Sequence, residues 1–372
     1  MKISNFVENG YIKLERAYRL TRECITDAHK HKTGDEKLKL KLPETSLPIA
    51  MAMATASFLP PSTTAGSAIS SNVFEIGKFN AVLEKVESAG CCSSGRFVPA
   101  PPPKPLLIGR PSDAGEFPVL LLVHGYLLYN TFYSQLIHHI ASHGFIVIAP
   151  QLYSVAGPDT SEEIKATAAI INWLPEGLRQ HLPPHVNPNL TKIALAGHSR
   201  GGKTSFALAQ QKSPKLSALI GLDPVDGTGS GKQTHPPVLK FIPQSLDLGL
   251  PVLVIGSGLG ELKRNPLFPP CAPKGINHEE FFKECRNPAY YFVVKDYGHL
   301  DLLDDETGGI RGKASYCLCK NGESREPMRR FVGGAVVAFL KACFDGEEGD
   351  LKAIEDGDLS LPVLLQTVES LL

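Results

Sequence analysis

The run Lys192-Ile-Ala-Leu-Ala196 reads as a buried strand and passes directly into Gly197-His198-Ser199-Arg200-Gly201, then into a helix-forming stretch that reaches Gln211. A serine on so sharp a strand-to-helix turn must adopt strained backbone angles. Side chains two residues to either side would clash there. Glycines at both places remove the clash and let the helix pack close to the sheet. The hydroxyl then projects above the sheet at the positive end of the helix. Gly-x-Ser-x-Gly set between a strand and a helix is a nucleophile elbow, and it makes Ser199 the candidate nucleophile.

Such an elbow needs a sheet around it, and the chain supplies the strands. Residues 79–88 and 105–109 read as opening strands, parted by a proline-rich turn at 99–105. Pro118–Val123 and Phe145–Ala149 are continuous apolar runs, which suit strands buried on both faces of a parallel sheet. Leu216–Leu222, Val252–Ile255 and Tyr290–Val294 follow the elbow strand. Helical patterns lie between them at 131–142, at 161–174 with Thr160 or Ser161 as cap and Pro175 as stop, and at 331–344, opened by Pro327. Strands alternating with helices over this length imply an α/β protein of the α/β-hydrolase kind, a doubly wound, mostly parallel sheet with flanking helices. Its expected extent is residues 73–345. Residues 346–372, acidic and then apolar, read as a partly ordered C-terminal tail. Residues 1–72 read as a disordered leader. Within it, 51–71 is rich in Ala, Ser, Thr and Pro and has no acidic residue. That composition is similar to a plastid transit peptide, although it starts at Met51 or Met53 rather than Met1.

A serine hydroxyl is a poor nucleophile at neutral pH and needs an adjacent base. In this fold the histidine comes last, in a loop after the final strand. Asp296-Tyr297-Gly298-His299 occupies that place after Tyr290–Val294, so His299 is the candidate base, with His124 and His198 as structural neighbours of the site. The acid usually follows the strand two beyond the elbow. Here that strand, Val252–Ile255, leads into Gly256-Ser-Gly-Leu-Gly260 and reaches a carboxylate only at Glu261. One strand earlier, Leu222 runs into Asp223-Pro224-Val225-Asp226, which makes Asp223 the first choice and leaves Asp226 and Glu261 as rivals. Two backbone amides should hold the oxyanion: Arg200 from the elbow, and Tyr126 from the loop His124-Gly125-Tyr126. Leu127, Leu128, Tyr129, Phe132 and Tyr133 just beyond suggest a greasy acyl or alcohol pocket.

Composition excludes several other classes. Lys plus Arg equals Asp plus Glu, at 38 each in 372 residues, so no global basic field exists for nucleic acid or anionic membranes. No apolar run reaches the roughly 18 residues of a membrane span, and the chain is read as soluble. Of the eight cysteines, Cys271 and Cys285 flank a short loop and could bridge, although free thiols are the simpler reading. No zinc pattern accompanies Cys317 and Cys319.

Several separated motifs then converge. Gly197-His-Ser-Arg-Gly-Gly-Lys203, Leu222-Asp-Pro-Val225, Pro269-Pro-Cys-Ala-Pro273, Asn277-His-Glu-Glu280, Asp296-Tyr-Gly-His299 and Phe331-Val-Gly-Gly334 together resemble plant chlorophyllases over about residues 75–345. The resemblance implies hydrolysis of the phytyl ester of chlorophyll to chlorophyllide and phytol, with a triad falling on Ser199, Asp223 and His299. It implies no metal or organic cofactor, chlorophyll as the partner molecule, and peripheral contact with a pigment-bearing membrane. The implied compartment is the chloroplast, with cytosol or endomembrane as alternatives. A general carboxylesterase or lipase would use the same residues, and a catalytically silent pigment-binding protein could use the same scaffold.

Overall fold

The computed structural model of the chain describes residues 72–88, 101–212, 215–266, 268–357 and 360–372. Residues 1–71 of the leader expected from the sequence, with its transit-like segment at 51–71, lie outside the described residues.

Nine strands form one sheet in the order β1-β2-β4-β3-β5-β6-β7-β8-β9. They are β1 (Ala81–Val86), β2 (Leu106–Pro111), β3 (Gly115–Val123), β4 (Ile146–Pro150), β5 (Val186–His198), β6 (Ala218–Leu222), β7 (Val252–Ser257), β8 (Ala289–Val294) and β9 (Leu365–Leu371). The run β4-β3-β5-β6-β7-β8 is parallel. β1, β2 and β9 add antiparallel edges. The central strands are buried at every position over 119–123, 146–150, 193–198, 218–222 and 252–257. Helices cover both faces, which is why those runs are apolar without alternation.

One face is covered by α1 (Ser134–Ser142), α6 (Glu326–Asp345) and α7 (Gly349–Asp356), through Leu136, Ile140, Phe331, Val336 and Leu351. The other carries α2 (Ser161–Gly177), α3 (Arg200–Ala209) and α4 (His278–Glu284), through Ile170, Leu174, Phe206 and Phe281. Burying each of these side chains fully contributes about 1.5–3 kcal/mol. A further helix, α5 (Gly309–Leu318), follows the loop that leaves β8.

Three expectations need correction. The described residues of 346–372, expected as a partly ordered tail, are mostly regular secondary structure. They form α7 and then β9, which pairs antiparallel with β8 from Ala289↔Leu371 to Val294↔Leu365. The alternation in this strand is weak because it is an edge, with Val368 40% exposed. Pro175 does not stop α2. The helix runs on to Gly177 and into a 3-10 turn, because Leu174 and Leu178 are fully buried and hold the last turn on the sheet against the cost of the missing N–H. Thr160 does not cap α2 either. Its hydroxyl donates to the His235 carbonyl at 3.0 Å, and Asp159 Oδ1 accepts the Ser161 N–H at 2.7 Å.

Candidate active site

The parallel strands all end at one edge of the sheet, and in open α/β sheets ligands bind outside the carboxyl ends of the strands. β5 ends at His198 and delivers Ser199; β6 ends at Leu222 and delivers Asp223. Ser199 sits at φ 57°, ψ −122°. A Cβ on Gly197 would come within 2.2 Å of the Gly201 carbonyl oxygen, and one on Gly201 within 2.4 Å of the Val123 oxygen. The strained turn therefore requires glycine at both places. Leu127 and Asp223 also lie at positive φ, 57° and 45°, so three of the strained residues belong to this site. The turn is tied to its neighbour by the Ser199 N–H donating to Leu222 O at 3.0 Å and the Val225 N–H donating to Ser199 O at 3.2 Å.

These elements bring Ser199, His299 and Asp223 into one chain of contacts. Ser199 Oγ is 2.8 Å from His299 Nε2, and His299 Nδ1 is 2.7 Å from Asp223 Oδ2. All three are buried. Burial alone would raise the Asp223 carboxyl. The His299 hydrogen bond and charge, the nearby His278 ring and the Ser257 hydroxyl outweigh it and hold the group at about 2. Asp223 is thus a carboxylate, so Nδ1–H of His299 donates to it and Nε2 is left to accept the Ser199 proton. The loop carrying His299 is held by Asp301, whose Oδ2 accepts the Gly298 and Gly322 N–H groups at 2.6 and 2.7 Å. Gly298 permits that close approach, because its Cβ would lie 1.8 Å from the Lys320 oxygen.

The rival residues have other partners. Asp226 Oδ2 accepts from Val238 N, Leu239 N and Gln233 Nε2 at 2.9, 3.0 and 2.6 Å, so it fixes a loop. Glu261 accepts from Asn277 Nδ2 at 2.9 Å. His124 accepts the Leu152 N–H on Nε2 at 3.1 Å, which leaves Nδ1–H to donate to Gly125 O at 2.9 Å. Burial drops its pKa to about 4. His198 is lowered to about 3, first by burial and then by the His299 charge. Tyr133 accepts the Gly125 N–H at 2.9 Å and donates to His198 Nδ1 at 2.7 Å. His198 Nε2–H then donates to the His299 carbonyl at 2.9 Å. One phenol therefore ties the Gly125 loop to the loop of His299.

Arg200 opens α3, so its N–H is among the first four of a helix, which have no intrahelical acceptor. Its side chain turns away to Glu163, with Nε 2.9 Å from Oε2 and Nη2 2.6 Å from Oε1. The guanidinium lies between the rings of Tyr126 and Tyr153. Lys203, fully buried, reaches the Thr160 hydroxyl.

A cavity of about 250 Å³ opens over Ser199 and His299, lined by Tyr126, Leu127, Leu128, Leu300 and the α5 residues Arg311 and Leu318, among others. Leu127 and Leu128, expected from the sequence beside the site, line this cavity. Tyr129 and Phe132 do not line it. The chain turns inward as a 3-10 turn at Asn130–Tyr133, which buries Phe132 in the core with Tyr129 against its edge. Tyr133 is fully buried beneath. Sequence reading missed Ser257, His278 and the α5 wall. Ser257 could have been found from its place at the end of β7, whereas α5 has no apolar stripe to announce it. The cysteines differ too: Cys271 is bonded to Cys319, and Cys285 is a buried free thiol. Cys271 and Cys319 both line the cavity.

Sheet order, elbow and the Ser-His-Asp contacts together define an α/β-hydrolase. Comparison with known proteins narrows the class. The family model described as Chlorophyllase matches residues 69–372. Chlorophyllase-2 of Arabidopsis thaliana is 60% identical over 314 residues, covering 82% of this chain and 98% of that protein. Chlorophyllase-1 of Arabidopsis thaliana is 45% identical over 79% of this chain and 90% of its own length. A Citrus unshiu protein named Chlorophyllase-1, chloroplastic, is 48% identical over 72% of this chain and 81% of its own. The chain belongs to the chlorophyllase family.

Proposed function

We propose that this protein is a carboxylic ester hydrolase that cleaves the phytyl ester of chlorophyll, releasing chlorophyllide and phytol. The observation that carries the reading is the unbroken path from Asp223 through His299 to Ser199 at the floor of an apolar cavity. The 60% identity to a protein named Chlorophyllase-2 supplies the substrate. His299, oriented by Asp223, takes the Ser199 proton as Oγ attacks the ester carbonyl. The amides of Arg200 and Tyr126 receive the oxyanion. Phytol leaves with the proton from His299, and water, activated by the same imidazole, releases the chlorophyllide acid.

The cavity is smaller than the roughly 300–1,000 Å³ of sites that enclose a drug-sized ligand. It therefore receives the ester and its immediate surroundings, while most of the macrocycle and the phytyl chain lie outside. Tyr126 and Leu318 line it while 50% and 38% exposed, a greasy rim suited to peripheral contact with a pigment-bearing membrane. No helix of the described residues is long and apolar enough to cross one. The proposed compartment is the chloroplast, supported by the transit-like composition of 51–71 and by the word chloroplastic in the names of two Citrus relatives. Assaying chlorophyll a beside p-nitrophenyl butyrate tests the substrate. Release of chlorophyllide supports the reading; cleavage of the simple ester alone would leave a general carboxylesterase.

A further inference from the structure

Arg311 stands apart from the rest of the cavity wall. The lining is otherwise apolar or weakly polar apart from the His299 imidazole, and among the described residues this guanidinium is its one Lys or Arg side chain. Its carbon lies 5.0 Å from the centre of the Tyr129 ring, which holds the side chain by its face. Its Nη1 is buried, and no acceptor among the described residues reaches it. A buried charged donor without a partner is destabilising, and a substrate oxygen placed there would recover the loss.

Chlorophyll carries such oxygens beside the bond to be cut. The ring that bears the propionate is flanked by a five-membered ring holding a ketone and a methyl ester. On the pigment periphery these two groups are the carbonyls closest to the propionate ester that Ser199 would attack. Simple alkyl esters have no counterpart. Resting on the chlorophyll reading above, we propose that Arg311 donates a hydrogen bond to the keto or methyl-ester oxygen of this ring and so selects pigment esters over simple ones. A planar guanidinium with several fixed donors suits paired carbonyl oxygens better than an ammonium does. Arg311 is here a specificity residue that touches the part of the substrate that does not react.

The experiment measures kcat/KM for the full-length wild type, Arg311→Lys and Arg311→Met on three esters. These are chlorophyll a, a chlorophyll derivative with hydrogen in place of the ring methyl ester, and p-nitrophenyl butyrate. The third serves as internal control for a folded site. Arg311→Met is expected to lose about ten- to a hundredfold on chlorophyll a relative to its change on p-nitrophenyl butyrate, the loss expected from one charged hydrogen bond. The loss should be smaller on the derivative, and Arg311→Lys should fall between. Equal losses on all three esters would mean that Arg311 only supports α5, and no loss on chlorophyll a would mean that it does not meet the pigment. Either overturns the assignment. A wild type that cleaves only the simple ester would overturn the chlorophyll reading itself, and this proposal with it.

Discussion

Asp223 receives the Ser257 hydroxyl on Oδ2, the same oxygen that bonds Nδ1 of His299 at 2.7 Å. The Ser257 N–H adds a bond to Oδ1 at 3.3 Å. Ser257 closes β7, the strand whose end usually carries the acid in this fold. Here the carboxylate that meets His299 comes from the end of β6, one strand nearer Ser199, and the end of β7 supports it through Ser257.

Asp223→Asn keeps the shape of the site but can hold the imidazole in the wrong tautomer. The expected loss in kcat is about 10⁴, as for a triad aspartate elsewhere. Asp226→Ala should behave differently. It strips an acceptor from the Val238 and Leu239 amides and costs about 1–3 kcal/mol of stability for each donor left unpaired, with covalent labelling of Ser199 by a fluorophosphonate retained. Turnover and labelling, measured side by side, separate the two; equal catalytic loss would contradict the placement.

Tyr133→Phe removes one oxygen that serves two loops. The Gly125 N–H loses its acceptor and His198 Nδ1 its donor. A stability loss of about 1–3 kcal/mol is expected in chemical denaturation. A fall of about tenfold in kcat with a smaller change in KM should accompany it, because the loop bearing the Tyr126 amide loosens where the oxyanion forms. An unchanged kcat would disconnect this phenol from the oxyanion loop.

Much of this was legible beforehand, and the reasons differ residue by residue. Ser199 announces itself because the turn that exposes it demands glycines at fixed spacing. His299 follows from chain order in the fold. Asp223 was readable because no carboxylate follows β7 directly. Tyr129 and Phe132 were misplaced because an aromatic run looks the same whether the chain bends outward or, as here, turns inward at residue 130. The wall formed by α5 was not legible: with Gly309 and Gly312 and no apolar stripe, its position depends on packing and on the Cys271–Cys319 bond. β9 was hidden because an edge strand buries little.

Acid should destabilise the fold in two windows. His124 and His139 are lowered to about 4 and His198 to about 3, each first by burial, from 6.5. They are neutral when folded and take up protons on unfolding below pH 6.5, so stability falls as pH drops from there towards 4 and then 3. Asp223, held at about 2 against 3.8, adds stability that is complete above pH 4 and lost as pH falls through 2. Calorimetry from pH 7 to pH 4 should show a falling Tm and net proton uptake on unfolding at pH 5. A Tm flat to pH 4 would contradict the buried neutral histidines.

The Cys271–Cys319 bond closes a loop across a sequence separation of 48 and ties α5 to the segment at 269–273. Chain entropy puts its worth at about 4 kcal/mol, within the range of about 0–5 for such bonds. Cys271→Ser with Cys319→Ser should lower Tm. Because both cysteines line the cavity, it should also cut chlorophyll turnover more than p-nitrophenyl butyrate turnover. Equal effects on both esters would mean that the bond stabilises the fold without shaping the pigment side of the site.

The most direct test compares purified wild type with Ser199→Ala on chlorophyll a and p-nitrophenyl butyrate together. Chlorophyllide formed by the wild type, with kcat on both esters reduced about 10⁶-fold in the variant, is the expected result. Full chlorophyllide production by Ser199→Ala would contradict the Ser-His-Asp mechanism, and a wild type that cleaves neither ester would contradict the assignment as an ester hydrolase.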